Sequence, residues 1–381
     1  MPEFRAVILA GGSGERFWPL STPENPKQFL RVFGGESLIR QSVGRLAGLV
    51  KPEDVFVVTA KDLVATTRRE LPELPAKNVV GEPMRRDTGA AIALGVGMTS
   101  KGSLGSKGSL GSEGSIGSIK SIGSEGAIGS IKSIGSIGAR GSEGLDGPNV
   151  SKCSSDPKDP VIGFFPSDQM VMDPVKFRKT VKRAIALAKR KPTIVAIGIK
   201  PNYPATGFGY VDPKTGQFVE KPDVRKAKTY LKRGYLWNAG MFIARASTFR
   251  AAFAAHAPAL LPLVLSRVSR LKSLYLALPK ISFDYAVMEK LAKVEVVRGD
   301  FGWDDVGSYS AFDRYFPHDS RGNVREGPCT VVEADGNICV ARSARISLLG
   351  VKNLVVVTTP DAVLVADKGR VAEMKKLFAR K

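Results

Sequence analysis

The amino terminus joins an apolar run, Ala6-Val-Ile-Leu-Ala10, directly to a glycine-rich turn, Gly11-Gly-Ser-Gly14. An unbroken run of apolar and β-branched residues predicts a strand that is buried on both faces, as in a parallel sheet. Glycines allow the backbone after such a strand to approach a phosphate group, and the cations Arg16 and Lys27 follow soon afterwards. The combination predicts a nucleoside triphosphate site at the end of the first strand.

The spacing of these glycines differs from that of two common phosphate-binding motifs. The dinucleotide fingerprint, read from Gly12, requires a glycine where Phe17 stands, and no Gly-Lys-Ser or Gly-Lys-Thr of a P-loop follows. A tight turn that needs only small residues remains an alternative for the glycines alone. That alternative does not explain why Arg16, Pro19-Leu20 and Pro26-Lys27 accompany them.

Strand-like and helix-like runs alternate along the first part of the chain. They are predicted at residues 5–10, 37–49, 54–60, 62–70, 78–81 and 88–98, and again at 161–165, from 173 onward, and at 193–199. The clearest helix has Asp173 as its N-cap, Pro174 in its first position and a basic cluster at its end. The alternation predicts an α/β fold, with a Rossmann-like, mostly parallel sheet and helices on both faces.

Two regions depart from this alternation. Residues 102–144 repeat the triplet Gly-Ser-x without the proline that stabilises collagen, so a flexible loop is favoured over an ordered glycine-rich assembly or a partner-binding segment. From about Ser320 the chain has short β-rich pieces at 329–333, 337–340, 346–348, 354–358 and 363–366, and a last helix is predicted near Val371. We therefore predict a catalytic domain at 1–318 that contains a low-complexity insertion at 101–159, and a small β-rich carboxyl-terminal domain at 319–381.

Composition limits the possible partners. The formal net charge of +21 would suit nucleic acid, but the basic residues are scattered and lack interleaved aromatics, so a basic surface that attracts phosphorylated small substrates is favoured. No apolar run reaches the length of a membrane helix, and the first strand leaves no room for a signal peptide, so we expect a cytoplasmic protein without a membrane partner. Cys153, Cys329 and Cys339 have neither metal-binding nor paired spacing and are expected to be reduced thiols.

The glycine turn with its extension to Ser21, followed by Pro26-Lys-Gln-Phe29, closely resembles the sugar-1-phosphate nucleotidyltransferases, and among them the mannose-1-phosphate guanylyltransferases. Further segments agree in order, namely Gly81-Glu-Pro83, Arg86-Asp-Thr88, Pro166-Ser-Asp168, Thr206-Gly-Phe-Gly-Tyr210, Val219-Glu-Lys-Pro222, Trp237-Asn-Ala-Gly240 and Trp303-Asp-Asp-Val-Gly307. The resemblance implies transfer of GMP from GTP to mannose 1-phosphate, with Mg²⁺ as cofactor. It also implies that the carboxyl-terminal domain packs on the catalytic domain and helps to form a homodimer.

The resemblance assigns Arg16 and Lys27 to the triphosphate, where they would neutralise charge at the α-phosphate and on the leaving pyrophosphate. A surface ion pair is the alternative for both. Asp168 ends an apolar strand, so it should lie at the carboxyl edge of the sheet, where a carboxylate can hold Mg²⁺; a helix N-cap is the alternative. The resemblance aligns Asp305 with the second metal-binding aspartate, and Asp304 is the alternative.

The remaining candidates divide into a nucleotide group and a sugar group. Glu82 offers two acceptor oxygens to the N1–H and N2–H of guanine, unless it is only a charged turn residue. Glu220 would accept from sugar hydroxyls, Lys221 would meet the sugar phosphate, and Thr88 would reach ribose or phosphate or else cap a helix. The predicted nucleotide group is Leu9, Ala10, Gly11, Gly12, Gly14, Glu82, Arg86 and Thr88, and the predicted sugar group is Gly207, Gly209, Tyr210, Glu220, Lys221 and Asn238.

Two residues depart from the usual pattern of the family. Gln169 stands where a histidine is common, and Asp87 stands where an asparagine is common. The Asp87 change places a carboxylate near the expected nucleotide site and leaves base preference open. Transfer to another hexose 1-phosphate or from another nucleotide is the first alternative function, and a non-catalytic nucleotide-sugar-binding protein is the second.

Overall fold

The computed structural model describes residues 3–12, 14–100, 159–265 and 271–378. The Gly-Ser-x insertion predicted at 101–159 lies outside the described residues except for its last position, and Cys153 lies outside them as well. Cys329 and Cys339 are free thiols. Among the described residues, no helix combines the length and the apolar character needed to cross a membrane.

A nine-stranded sheet dominates the described part of the chain. The strands are β1 Phe4–Ala10, β2 Val55–Ala60, β3 Val79–Glu82, β4 Val161–Pro166, β5 Met170–Val171, β6 Val195–Ile199, β7 Tyr210–Val211, β8 Phe218–Val219, β9 Leu236–Arg245, β10 Glu295–Gly299 and β11 Trp303–Asp304. The main strands of the sheet run in the order β10-β6-β9-β4-β1-β2-β3, with β7 paired to β9 and β8 paired to β7. All neighbouring pairs of the main path are parallel except those of β9 with β4 and β6. A separate antiparallel pair joins β5 and β11.

Helices cover both faces of this sheet, as the sequence predicts. Ala6 and Ile8 of β1 pack in one apolar cluster, whereas Val7, which points to the opposite face, packs in a second one. Both clusters contain buried helical side chains, which confirms the predicted fold class. The α-helices are α1 Leu38–Gly44, α2 Val64–Glu70, α3 Asp87–Thr99, α4 Pro174–Arg190, α5 Val224–Arg233, α6 Ala246–His256, α7 Leu261–Leu265, α8 Leu271–Ala277, α9 Phe283–Ala286 and α10 Ser310–Tyr315.

The amino end of α4 confirms the cap that the sequence indicates. The Asp173 carboxylate accepts hydrogen bonds from the amides of Val175 at 3.0 Å and Lys176 at 2.9 Å, and Pro174 occupies the first position, where no amide hydrogen is required. The pattern of apolar runs does not predict β9. This strand lies inside the sheet and is antiparallel to both neighbours, so it is not part of the alternation of strands and helices that predicts the parallel strands.

The carboxyl-terminal region consists of short strands that pair mostly in parallel. Its strands are β12 Val324–Glu326, β13 Cys329–Val332, β14 Ile338–Ala341, β15 Ile346–Leu349, β16 Leu354–Thr358 and β17 Val363–Asp367, and a 3₁₀ helix at Lys368–Leu377 replaces the predicted last helix. β12-β14-β16 and β13-β15 are parallel, and β17 closes antiparallel on β16. Val324, Ile338 and Val355 share one buried cluster with Phe17 and Leu20 of the amino-terminal motif. The region therefore packs against the segment that follows the glycine turn. The domain boundary at 318/319 stays a prediction.

Candidate active site

The glycine turn after β1 closes directly against the segment that carries Lys27. Gly14 has a φ of +66°, and a Cβ added to it would collide with the Cβ of Lys27 and lie 2.7 Å from its amide nitrogen. The Gly14 carbonyl accepts hydrogen bonds from the Phe17 amide at 2.9 Å and the Ser21 hydroxyl at 2.6 Å. Glycine is therefore required here both by the backbone conformation and by the close approach of Lys27.

The carbonyls at the end of β1 tie this turn to the surrounding segments. The Ala10 carbonyl accepts hydrogen bonds from the Gln28 side-chain amide at 3.0 Å and from the Thr59 hydroxyl at 3.0 Å. The Leu9 carbonyl accepts from the Ser167 amide at 3.0 Å, immediately before Asp168. Three separate parts of the chain thus meet at the carboxyl end of β1, where open parallel sheets bind ligands.

Lys27 joins the two aspartates that the sequence singles out. Its ammonium group donates to Oδ2 of Asp168 at 2.9 Å and to the main-chain carbonyl of Asp305 at 2.7 Å. Lys27 is only 6% exposed, so these contacts lie in a largely desolvated place. The structure thus brings together Lys27, Asp168 and Asp305.

Arg16 lies in the same cluster. A Cβ added to Gly307 would lie 2.9 Å from Oδ2 of Asp305 and 3.4 Å from Nη1 of Arg16, so both charged groups flank this glycine. Burial raises the pKa of Asp305, and the ammonium of Lys27 acts in the opposite direction. Two cations and two carboxylates therefore share one small region beside the glycine turn.

The neighbouring Asp304 is engaged elsewhere. Its carboxylate accepts two hydrogen bonds from the Arg314 guanidinium, at 2.8 and 2.9 Å, and one from the Val306 amide at 2.7 Å. These contacts fix the turn that presents Asp305. They give Asp304 a structural partner and favour Asp305 as the residue that faces the cluster.

The donor set of this cluster fits a hard divalent cation. Within the described ranges, no group of three or more His, Cys, Asp or Glu side chains could form a metal cage. Asp168 and Asp305 supply carboxylate oxygens only, which suits an ion such as Mg²⁺ that keeps several water ligands. The lysine ammonium now lying between the two segments shows that the region already accommodates positive charge.

Glu82, at the end of β3, faces the glycine turn from the other side. The Tyr275 hydroxyl donates to its Oε1 at 3.0 Å, and a Cβ added to Gly11 would lie 3.5 Å from its Oε2. A cavity of about 500 Å³ opens beside it and is lined by residues 60–62 and 82–85. Burial raises the pKa of Glu82 to about 7. A buried acceptor thus lines a cavity next to the predicted phosphate site.

Arg86 and Thr88 contact protein groups. The Arg86 guanidinium donates to the carbonyls of Tyr275 at 3.0 Å and Leu276 at 3.2 Å, at the end of α8. The Thr88 hydroxyl accepts from the Phe283 amide at 3.0 Å, at the start of α9. Thr88 does not cap α3, because that helix begins at Asp87 and Thr88 lies within it. Contacts of either side chain with ribose or phosphate remain predictions.

Glu220 and Lys221 form the next group along the sheet edge. Lys221 Nζ lies 3.1 Å from Oε1 of Glu220, and a Cβ added to Gly209 would lie 2.5 Å from Oε2 of the same carboxylate. Gly209 therefore allows the loop to pack directly on Glu220, whereas Gly207 has open space around it. Burial raises the pKa of Glu220.

Asn238 lies beside this pair and is held from two sides. Its side-chain nitrogen donates to Oδ1 of Asp284 at 2.9 Å, and its side-chain oxygen accepts from the Gly240 amide at 2.9 Å. Tyr210 differs from the other sugar candidates, because its side chain is fully buried and its hydroxyl donates to the Ala205 carbonyl at 2.9 Å. Tyr210 thus supports the loop from the core, and sugar contact by it remains a prediction.

Comparison with known families decides how this arrangement is classified. Residues 5–104 and 149–321 match the family described as Nucleotidyl transferase. The chain belongs to the nucleotidyl transferase family. Residues 327–380 of this nucleotidyl transferase match the MannoseP isomerase/GMP-like beta-helix domain, which agrees with the parallel strands seen there.

Individual relatives agree with this assignment. The nucleotidyl transferase is 30% identical to the mannose-1-phosphate guanylyltransferase of Escherichia coli K12, over 97% of this chain and 72% of the relative. It is 31% identical to the mannose-1-phosphate guanylyltransferase RfbM of Salmonella typhimurium, over 98% of this chain and 71% of the relative. A crystal structure described as a mannose-1-phosphate geranyltransferase from Thermus thermophilus superposes with a TM-score of 0.78 at 30% identity and covers 99% of both chains.

The structure places two further residues of the nucleotidyl transferase beside these candidates, and neither is predicted from the sequence. Asp284 is half-buried against Asn238, and burial together with the charge of Glu220 raises the pKa of Asp284. Tyr275 reaches Glu82 across 193 positions of sequence. Asp284, an acidic residue between two aromatic ones, is a usable sequence signal for a partly buried polar site. Nothing near Tyr275 in the sequence points to Glu82.

The buried Glu82 predicts a specific pH dependence of stability. Burial raises its pKa from 4.5 to about 7, so the folded chain holds this proton more tightly than the unfolded chain. The stabilisation of the folded state by the Glu82 proton is fully present below about pH 4.5 and is lost as the pH rises through about 7. Its size is about 3 kcal/mol. We expect Glu82→Gln to remove this component of the pH dependence, measured by urea unfolding of the ligand-free protein between pH 4.5 and 8.

The exposed Glu24 provides a control for the loss of one carboxylate. Glu24→Gln should keep the wild-type pH dependence. If the wild-type protein and Glu82→Gln lose stability in parallel as the pH rises, burial does not govern the Glu82 proton.

Proposed function

We propose that this chain transfers GMP from GTP to mannose 1-phosphate, giving GDP-mannose and pyrophosphate. The observation that carries the proposal is the meeting of Lys27, Asp168 and Asp305 beside the glycine turn, in a chain of the nucleotidyl transferase family. Relatives described as mannose-1-phosphate guanylyltransferases support the choice of substrates. Family membership supports a divalent cation, and we propose Mg²⁺.

The reaction needs charge neutralisation more than proton transfer. An oxygen of the sugar phosphate attacks the α-phosphorus of GTP, the bond from that phosphorus to the bridging oxygen breaks, and pyrophosphate leaves with the electron pair. Because the nucleophile is already an anion, no general base is required. Arg16 and Lys27 would neutralise the α-phosphate and the leaving group, and the glycine turn would hold the triphosphate through its amides.

The two aspartates would hold the cation. Asp168 and Asp305 offer oxygen ligands from two distant segments, which leaves the other positions of an ion open to water and phosphate oxygens. When bound, Mg²⁺ would withdraw charge from the reacting phosphates. The Lys27 ammonium, which lies 2.9 Å from Asp168, would place its positive charge beside the triphosphate.

Glu82 would select the base and the acidic groups at the sugar side would select the hexose. A Glu82 carboxylate can accept both N1–H and N2–H of guanine, an arrangement that the acceptor-bearing edge of uracil or thymine cannot satisfy. Glu220, Asn238 and the half-buried Asp284 would present acceptors and one amide donor to sugar hydroxyls, and Lys221 would meet the sugar phosphate.

Pyrophosphate release across a panel of nucleoside triphosphates and hexose 1-phosphates tests the proposal. We expect GTP with mannose 1-phosphate to exceed every other pair by at least about tenfold in kcat/KM, and chelation of divalent cations to abolish turnover. Faster turnover of another pair would replace the proposed substrates by that pair. Tight binding of a nucleotide sugar without turnover of any pair would show a binding protein instead of an enzyme.

A further inference from the structure

The two aspartates of the proposed cation site are connected by a short antiparallel ladder. Gln169 separates Asp168 from β5, and β11 ends directly before Asp305. In this ladder Trp303 lies opposite Val171. Asp304 lies opposite Met170, so the next position along the register brings Asp305 opposite Gln169. The separation of the two carboxylates therefore depends on how firmly these short segments are joined.

Gln169 reinforces the ladder with its side chain. Its Oε1 accepts a hydrogen bond from Nε1 of Trp303 at 2.9 Å, and its Nε2 donates to the Ala239 carbonyl at 2.8 Å. The residue is only 8% exposed, so water competes little for these bonds. One buried amide thus joins the loop of Asp168, the strand before Asp305 and the middle of β9.

A buried cation, Arg45, holds the main chain on both sides of Asp168. The Arg45 guanidinium donates to the carbonyl of Gln169 at 2.9 Å and to the carbonyl of Pro166 at 3.2 Å. Burial lowers the pKa of Arg45 to about 10, so it remains charged at neutral pH. The backbone on both sides of Asp168 is therefore fixed, and the Gln169 side chain starts from a rigid base.

The bond from Gln169 also reaches the sugar side. The Trp303 ring contacts the Phe208 ring edge-on, with centroids 5.4 Å apart, and Phe208 lies between Gly207 and Gly209. Trp303 thus helps to fix the loop around Phe208, which packs on Glu220 through Gly209.

We propose that Gln169 is a positioning residue, which sets the distance between the carboxylates of Asp168 and Asp305 through its hydrogen bond to Trp303. The inference rests on the proposed cation-dependent transfer. Groups that orient metal ligands without touching the ion typically change metal affinity when they are replaced, because the ligands lose their preformed arrangement. Gln169 has the contacts for that task.

The test uses Gln169→Leu and two independent readouts. Binding of Mn²⁺ to the full chain without substrates, followed by electron paramagnetic resonance, should weaken by about 10- to 100-fold. In turnover assays, the Mg²⁺ concentration for half-maximal rate should rise by a similar factor, while KM for GTP at saturating Mg²⁺ changes by less than about threefold.

Two further variants separate positioning from loss of packing. Trp303→Phe removes the indole donor but keeps an aromatic ring against Phe208, and it should weaken Mn²⁺ binding in the same way. The double variant Gln169→Leu with Trp303→Phe should be no worse than the poorer single variant, because both remove one shared bond. Asn78→Leu is the matched control, since its buried amide bonds the carbonyls of Glu53 at 2.8 Å and Val55 at 2.9 Å, away from the site.

Asn78→Leu should lower the Tm without changing Mn²⁺ affinity. The inference is overturned if Gln169→Leu and Trp303→Phe fold and bind Mn²⁺ like the wild-type protein while that protein turns over normally. If Gln169→Leu fails to fold, Trp303→Phe decides alone. A wild-type protein that neither binds Mn²⁺ nor turns over would instead remove the proposed function, and this inference with it.

Discussion

Replacing Asp305 by asparagine should lower kcat for pyrophosphate release by at least about a thousandfold, equivalent to about 4 kcal/mol of transition-state stabilisation. Asparagine keeps the size of the side chain but removes the charge that would hold the cation beside Lys27 and Arg16. Asp168→Asn should act in the same direction, because Asp168 supplies the second carboxylate. Stopped-flow or coupled assays at saturating substrates measure the effect.

Nucleotide binding should suffer less than turnover. The glycine turn, Arg16 and Lys27 would still contact the triphosphate, so the Kd for GTP, measured by calorimetry without mannose 1-phosphate, should rise by no more than about tenfold. A loss that appears in kcat far more than in Kd is the signature of an interaction made in the transition state. This split separates a catalytic role of Asp305 from a general loss of structure.

Asp304→Asn is the matched control, one residue away. Asp304 bonds Arg314 and the Val306 amide, so its replacement should lower the Tm through the lost charge pair while kcat stays within about tenfold of wild type. If Asp304→Asn abolishes turnover and Asp305→Asn does not, the cation site is built on Asp304. If neither variant affects turnover, the proposed cation site is wrong.

Sequence alone was sufficient for the part of the site that lies at strand ends. Ala10, Glu82 and Pro166 end parallel strands of one sheet, and the carboxyl ends of parallel strands meet at one edge. For that reason the glycine turn and Asp168 could be placed together from the pattern of apolar runs. Arg16 and Lys27 follow from their positions after the glycines, and the motif resemblance added Glu82 and Asp305.

Contacts between residues distant in sequence could not be predicted in this way. The bond from Tyr275 to Glu82 depends on where α8 lies on the sheet, which periodicity does not specify. Asn238 lies on β9, an antiparallel strand that the sequence pattern does not predict. Its bond to Asp284 could therefore not be predicted either. In the sequence, Gln169 is only a departure from the family pattern, because its bond to Trp303 depends on the fold.

Gly14→Ala should reduce kcat at least about a hundredfold while the protein still folds. Alanine would have to adopt a φ of +66°, and its Cβ would collide with the Cβ of Lys27 and lie 2.7 Å from its amide nitrogen. Because the second contact is with backbone, the Lys27 segment must move. A displacement of about 1 Å at a residue that positions charge is enough for a loss of this size.

Gly34→Ala separates this displacement from backbone strain. Gly34 has a φ of +79°, but nothing lies within 4 Å of an added Cβ, so alanine there meets the same conformational cost without a collision. Both variants should lose about 1–2 kcal/mol of stability from the left-handed conformation, and Gly14→Ala should lose more. Only Gly14→Ala should lose turnover, since only there must the segment that carries Lys27 move. Equal activity of the two variants would mean that the close approach of Lys27 to the glycine turn has no part in the reaction.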